Sequence, residues 1–198
     1  GLATSERSLQ RCAELYSASR FPARFDKADL PALRTAGKIR IGYLSGEFRQ
    51  QATSLRLVGV LEQHDRQQFE VFAIDNGFDD GSATRRRIDA AVDGVIDIAA
   101  LSDPQAVAAI RAEGIDILVN LNGYFGDART RVFARRAAPI PVNYLGFPGT
   151  LGARSVASIR AHRPVLPAEP RQSSTKTVLG PPGCPPATRR PTPHRDPH

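Results

Sequence analysis

Cysteine is scarce in this chain of 198 residues: there are two, Cys12 and Cys184, far apart and without a Cys or His at metal-ligand spacing. That excludes a disulfide framework and removes support for a zinc site, so both read as incidental thiols. No apolar run approaches the roughly eighteen residues that a membrane-spanning helix needs, and the first residues lack the basic, apolar, small-residue order of a secretory leader. Neither a membrane span nor secretion is expected, and the cytoplasm is the expected setting. Two phosphate-cradling patterns are missing as well. Neither Gly-x-Gly-x-x-Gly nor Gly-x-x-x-x-Gly-Lys-Ser/Thr occurs, so dinucleotide-binding and P-loop readings lose their main support.

What is present fits one domain with flanks. A hydrophobic content of 41% can fill one core at this length, which is too short for two full Rossmann-type domains. The net charge of +7 is unevenly spread, because residues 154–198 hold eight Lys/Arg against Glu169 and Asp196, together with ten of the sixteen prolines. A segment with so little to bury cannot offset the entropy of folding, so this tail is expected to be disordered and not to pack on the fold. It is basic but lacks the interleaved aromatics of a stacking surface, and nucleic acid is not an expected partner.

Between the flanks, strand and helix signals alternate. Short apolar runs at 38–45, 69–75, 95–98, 115–121 and 140–145 read as strands. Helical spacing occupies 53–64, 81–93, 103–114 and 128–136. Leu55, Val58 and Leu61 would face the core from the first of these helices, with Thr53 or Ser54 as N-cap. Pro104 opens the third and Gly114 stops it. Five strands separated by four helices predict an α/β fold, a parallel sheet with helices on both faces. Ligands of such sheets bind at the carboxyl ends of the strands. That rule selects three turns, at 45–53, 120–129 and 146–153, all rich in Gly, Asn, Ser or Thr.

In these turns and strands the chain resembles a known family. Lys38-Ile-Arg-Ile-Gly-Tyr-Leu-Ser45, Phe69-Glu-Val-Phe72, Asp79-Asp-Gly81, Gly114-Ile-Asp-Ile-Leu-Val-Asn-Leu-Asn-Gly-Tyr124 and Leu145-Gly-Phe-Pro-Gly-Thr150 follow one another in order. Together they resemble the catalytic region of the O-GlcNAc transferase and SPINDLY-like glycosyltransferases. The resemblance implies a Rossmann-like N-terminal catalytic half of a GT-B-type enzyme over residues 38–153. Residues 1–37 would be a helical linker following tetratricopeptide repeats, and 154–198 a Pro/Arg-rich tail, either genuine or the product of a frameshift. It implies transfer of a sugar, GlcNAc in one branch and fucose in the other, from a nucleotide-sugar to Ser or Thr of a protein or peptide acceptor. The nucleotide-sugar, UDP-GlcNAc in the first branch, is a substrate and no cofactor is implied. Donor binding would also need a second, C-terminal half.

The candidate site residues come from the same resemblance. Gln51 stands where the family typically has an active-site histidine, in Glu47-Phe-Arg-Gln-Gln51-Ala-Thr53. Glutamine cannot exchange a proton near neutral pH, so no acid-base role is expected there. Thr53, Leu145, Gly146 and Pro148 match positions near the donor sugar, and Asn122 and Tyr124 sit in a matching motif where a structural role in the turn is an equal reading. Gly42, Gly46, Gly123, Gly146 and Gly149 also read as glycines of tight turns. Arg129 and Arg131 are candidates to meet phosphate or acidic peptide, or are solvated helix charges. His64 reads as a surface or capping residue. Two functions follow: part of a sugar transferase that is inactive alone, or a non-catalytic remnant that binds a partner or peptide.

Overall fold

The computed structural model describes residues 6–22, 30–145, 158–160 and 177–179. Its elements run α1 (Glu6–Arg20), β1 (Ile39–Ser45), α2 (Ala52–Glu62), β2 (Phe69–Asp75), α3 (Ala83–Ala91), β3 (Gly94–Asp97), α4 (Asp103–Ala112), β4 (Ile117–Asn120), α5 (Thr130–Ala134), β5 (Ile140–Tyr144), β6 (Ser158–Arg160) and β7 (Thr177–Leu179). The strands form one parallel sheet in the order β3-β2-β1-β4-β5-β6-β7. The order reverses between β1 and β4, which makes the carboxyl ends of those two strands the switch point of the sheet.

Alternation along each strand feeds two cores. Ile41, Tyr43, Val71, Ala73 and Val119 point to one face and are covered by Leu57, Val58 and Leu61 of α2 and Ile88 of α3. Leu44, Ile74 and Leu118 point to the other, under Val107 and Ile110 of α4 and Val132 and Phe133 of α5. Fully burying one such side chain stabilises the fold by about 1.5–3 kcal/mol, so these two layers, rather than helix propensity, hold the short helices in place. The segment before β1 is tied down by Asp116, a buried carboxylate that accepts hydrogen bonds from the backbone of Arg40 at 2.9 Å and of Arg34 at 3.2 Å.

Three expectations change. The five expected strands are all present, but the sheet continues through β6 and β7, so residues 158–160 and 177–179 do pack on it, contrary to the expected detached tail. A strand needs few apolar side chains when a neighbouring strand already supplies its hydrogen-bond partners, and composition alone does not register that. In α2 the N-cap is Gln51, while Thr53 and Ser54 lie within the helix and direct their hydroxyls to Glu47. Leu55 is 54% exposed, and Leu57 takes the core position instead.

Candidate functional site

The loops leaving β1, β2 and β4 meet at the carboxyl edge of the sheet, and glycines let them approach. A Cβ added at Gly46 would fall 2.5 Å from Asp127 Cβ, and one at Gly77 would collide with the carbonyl of Gly46. The Asn76 backbone N–H donates to Ser45 O at 2.9 Å, and its side chain donates to Asp127 O at 2.8 Å, stitching the three loops together. Gly46 therefore serves close packing. Gly42 does as well, since a Cβ there would lie 2.6 Å from Ile74 Cδ1, whereas Gly123, with φ of +64°, has a backbone in the left-handed region.

Glu47 is the hub of the first loop. Its Oε2 accepts from Thr53 Oγ1 at 3.0 Å, and its backbone carbonyl accepts from the Ser54 hydroxyl. Its Oε1 faces the β4–α5 loop, where a Cβ at Gly126 would stand 3.2 Å from it and 3.4 Å from Asn122 Nδ2. Asn120 builds the turn beyond β4, its Oδ1 accepting from the backbone N–H groups of Asn122 at 3.2 Å and Gly123 at 3.1 Å. Asn122 Oδ1 in turn accepts from Gly46 N at 3.3 Å. Both asparagines are buried, and the Nδ2 groups of both have no acceptor among the described residues. Leaving a buried donor unmade costs about 1–3 kcal/mol, so two of them at one switch point call for a functional explanation.

The remaining polar groups are committed to architecture. Arg129 donates to Asn76 Oδ1 at 2.7 Å, to the carbonyls of Ile98 at 2.9 Å and Leu101 at 2.8 Å, and to Asp103 Oδ1 at 3.0 Å. It clasps the loops after β2, β3 and β4 and has no fork left for a ligand. Arg85 reaches Asp75 Oδ2 at 2.5 Å in the interior; burial works to lower its pKa, but the combined pairing with Asp75 and Asp89 outweighs burial and raises it. Asp80, on the surface, accepts from the backbone of Gln50 at 2.9 Å and of Ser82 at 3.0 Å; the Gln50 N–H first, then the Ser82 hydroxyl, lower its pKa to about 2.

Of the residues selected from sequence, Thr53 and Asn122 come together around Glu47. Gln51 ends the same loop as the N-cap of α2, exposed, with extended backbone and no capping bond from its side chain. Tyr124 turns toward α1, stacking on Phe21 at 5.9 Å and meeting Tyr16 edge-on at 5.4 Å. Burial raises its pKa, partly opposed by a hydrogen bond with Ser17, and this seating favours the structural reading of Tyr124. Leu145 follows β5 with φ of +71°, a left-handed conformation rare for Leu and of the kind that collects at functional sites. Gly146, Gly149 and Pro148 lie outside the described residues. His64 is partly buried and bonded to Tyr43 Oη at 2.8 Å, away from these loops. Sequence reading passed over Glu47, Asn120 and Asn76. The Asn-x-Asn-Gly run was the available signal for the second of these, since an Asx turn after a buried strand is its ordinary use.

No group of three His, Cys, Asp or Glu side chains among the described residues has metal-binding geometry, and no helix there is long and apolar enough to cross a membrane. A sequence model described as "Glycosyl transferase family 41" matches residues 5–177. The chain is 32% identical over 185 residues to a protein of Arabidopsis thaliana named probable UDP-N-acetylglucosamine--peptide N-acetylglucosaminyltransferase SEC, covering 92% of this chain and 19% of that protein. It is 35% identical over 127 residues to UDP-N-acetylglucosamine--peptide N-acetylglucosaminyltransferase of Caenorhabditis elegans, covering 64% of this chain and 11% of that one. A solved variant of O-GlcNAc transferase from Thermobaculum terrenum superposes with a TM-score of 0.82 at 28% identity, over 91% of this chain and 35% of the other. The chain thus spans about a fifth or less of the two curated relatives and about a third of the solved chain.

Proposed function

We propose, from the premise that this chain belongs to glycosyl transferase family 41, that it supplies the N-terminal Rossmann-like half of a GT-B-type protein O-glycosyltransferase. In this reading a Ser or Thr hydroxyl of a protein attacks the anomeric carbon of a nucleotide-sugar, UDP-GlcNAc by the names of the relatives, and the nucleoside diphosphate departs. The observation that carries it is the family match over residues 5–177. The chemistry at the carboxyl edge agrees with it. Buried carboxamide donors at Asn120 and Asn122, the second of them near the Glu47 carboxylate, are the kind of donor and acceptor set that sugar hydroxyls need.

Thr53, Asn122, Leu145, Gly146 and Pro148 are the proposed sugar contacts of this half, with Tyr124 supporting the turn. Gln51 offers a hydrogen bond to a hydroxyl but no proton exchange, and Arg129 is unavailable to the diphosphate because its donors are already used. Removing even one preorganised donor at a developing oxyanion costs about a hundred- to a thousandfold in rate. The chain alone is therefore expected to give no measurable transfer, and Gln51→His is expected not to restore it. A chimera joining residues 1–179 to the rest of the catalytic region of the Thermobaculum terrenum enzyme tests the reading directly, with UDP-GlcNAc and mixed acceptor peptides. Transfer by the chimera supports it. A folded chimera that binds acceptor peptide but transfers nothing, even with Gln51→His, favours the second reading, a non-catalytic peptide-binding module. Turnover by the unmodified chain would overturn the claim that it is only half of a site.

A further inference from the structure

The sequence singled out Arg129 and Arg131, and the fold separates them: Arg129 is consumed by loop carbonyls and Asp103, whereas Arg131 lines a cavity of about 330 Å³. This cavity lies between the end of α1, the start of α4 and α5. Its walls include Arg20, Arg131 and Arg135, with Phe21 and Pro22 as an apolar side. None of the three arginines has a carboxylate partner among the described residues. The acid in the wall, Asp103, is paired through Oδ1 with Arg129. A fourth guanidinium, that of Arg111, donates to the carbonyls of Arg135 and Arg136 at 3.2 Å, so the positive charge is not dispersed. Two elements thus hold three unpaired forks around one concave space.

We propose that this cavity is a phosphate-binding site that takes a phosphate monoester, with the organic body of the ligand lying against Phe21 and Pro22. The charge decides between anions. A carboxylate would cancel one of three positive charges, whereas a phosphate monoester carries about −1.5 to −2 at neutral pH and offers three acceptor oxygens. Guanidinium forks match such oxygens in pairs. The volume is near the lower end, roughly 300–1,000 Å³, of sites that hold small ligands, enough for a phosphate and a compact body. Tyr124 stacks on Phe21, so an occupied cavity would press on the aromatic contact that seats the β4–α5 loop.

The test titrates the whole chain with phenyl phosphate, phenylacetate and a phosphoserine peptide, by calorimetry and by NMR of the arginine Nε–Hε groups. Saturable binding of phenyl phosphate is expected, with shifts at Arg20, Arg131 and Arg135, and weaker binding as pH falls through the phosphate's second pKa of about 6. Arg131→Gln should weaken binding about tenfold or more, since it removes a charge-assisted fork to the phosphate oxygens. Arg56→Gln, an equal loss of charge on the exposed face of α2, should change little. A phosphoserine peptide that binds tighter than phenyl phosphate would assign the phosphate to a modified protein; the reverse would assign it to a small molecule. Absence of saturable binding, equal weakening by Arg56→Gln, or phenylacetate binding as tightly as phenyl phosphate would each overturn the proposal.

Discussion

At the residue scale, the charges sort themselves by burial. Asp75 is 5% exposed and has Arg85 at 2.5 Å, while Asp89, the other acid on Arg85, is on the surface side of α3. Arg85→Met would leave Asp75 buried without a cation, so unfolding free energy should fall by about 3–5 kcal/mol. Asp89→Ala should cost under about 1 kcal/mol. Urea denaturation of both variants checks this, and similar losses would show that Asp75 is satisfied by backbone N–H groups instead. His64 makes a pH prediction. Burial, then the nearby Arg66, lowers its pKa from 6.5, so the fold favours the neutral ring. The unfolded chain takes up this proton at higher pH than the folded one. The stabilisation is complete above about 6.5 and is lost as pH falls below it. Between about pH 7.5 and 5 the urea midpoint should fall further for the natural chain than for His64→Gln; equal slopes would rule His64 out. The family resemblance of the sequence suggested sites at Gln51, Thr53 and Asn122. They gave no means of knowing that Arg129 would be used up by carbonyls, because its partners are up to 53 positions away.

At the element scale the sequence was most legible. The apolar runs at 38–45, 69–75 and 140–145 became β1, β2 and β5 within a residue at each end, since buried parallel strands carry near-continuous Val, Ile and Phe. Caps and loop contacts were less legible. Thr53 and Ser54 look like N-caps by type, yet Glu47 claims both hydroxyls, a competition set by the loop's path rather than by helix propensity. Gly77 illustrates the same gap: nothing local demands glycine, and its φ is ordinary, but the Gly46 backbone occupies the space of a side chain. Gly77→Ala should therefore push the β1–α2 and β2–α3 loops apart. The expected cost is about 1–3 kcal/mol, as for other overpacked sites. Because the contact is backbone on side chain, no rotamer change relieves it. Thermal unfolding compared with Gly81→Ala, at a positive φ but in open space, separates the two mechanisms. If Gly77→Ala leaves the melting point unchanged, the loops do not touch as described.

At the scale of the whole molecule, the sheet's architecture follows from a rule the sequence already obeyed: parallel strands joined by helices make a doubly covered sheet with its ligand edge at the carboxyl ends. The limit of the sheet was not legible. A region with ten prolines and six net positive charges reads as unfit to fold, yet β6 pairs Val142 with Ser158 through Tyr144 with Arg160, and β7 pairs with β6 in turn. Pro contributes no N–H to a ladder, but neither Ser158–Arg160 nor Thr177–Leu179 contains one. The family match also reaches residue 177, so the stretch before β7 belongs to the same sequence unit as the sheet. Hydrogen exchange measures this extension. Amides of 158–160, lying between two strands, should exchange more slowly than their intrinsic rates, and those of 177–179, on the edge, should be less protected than β6. A three-residue parallel strand has few hydrogen bonds, each worth about 0.5–1.5 kcal/mol, so protection well below that of β1 and β4 is expected. Intrinsic-rate exchange throughout 158–160 would end the sheet at β5 and restore the reading of residues 154–198 as a detached tail.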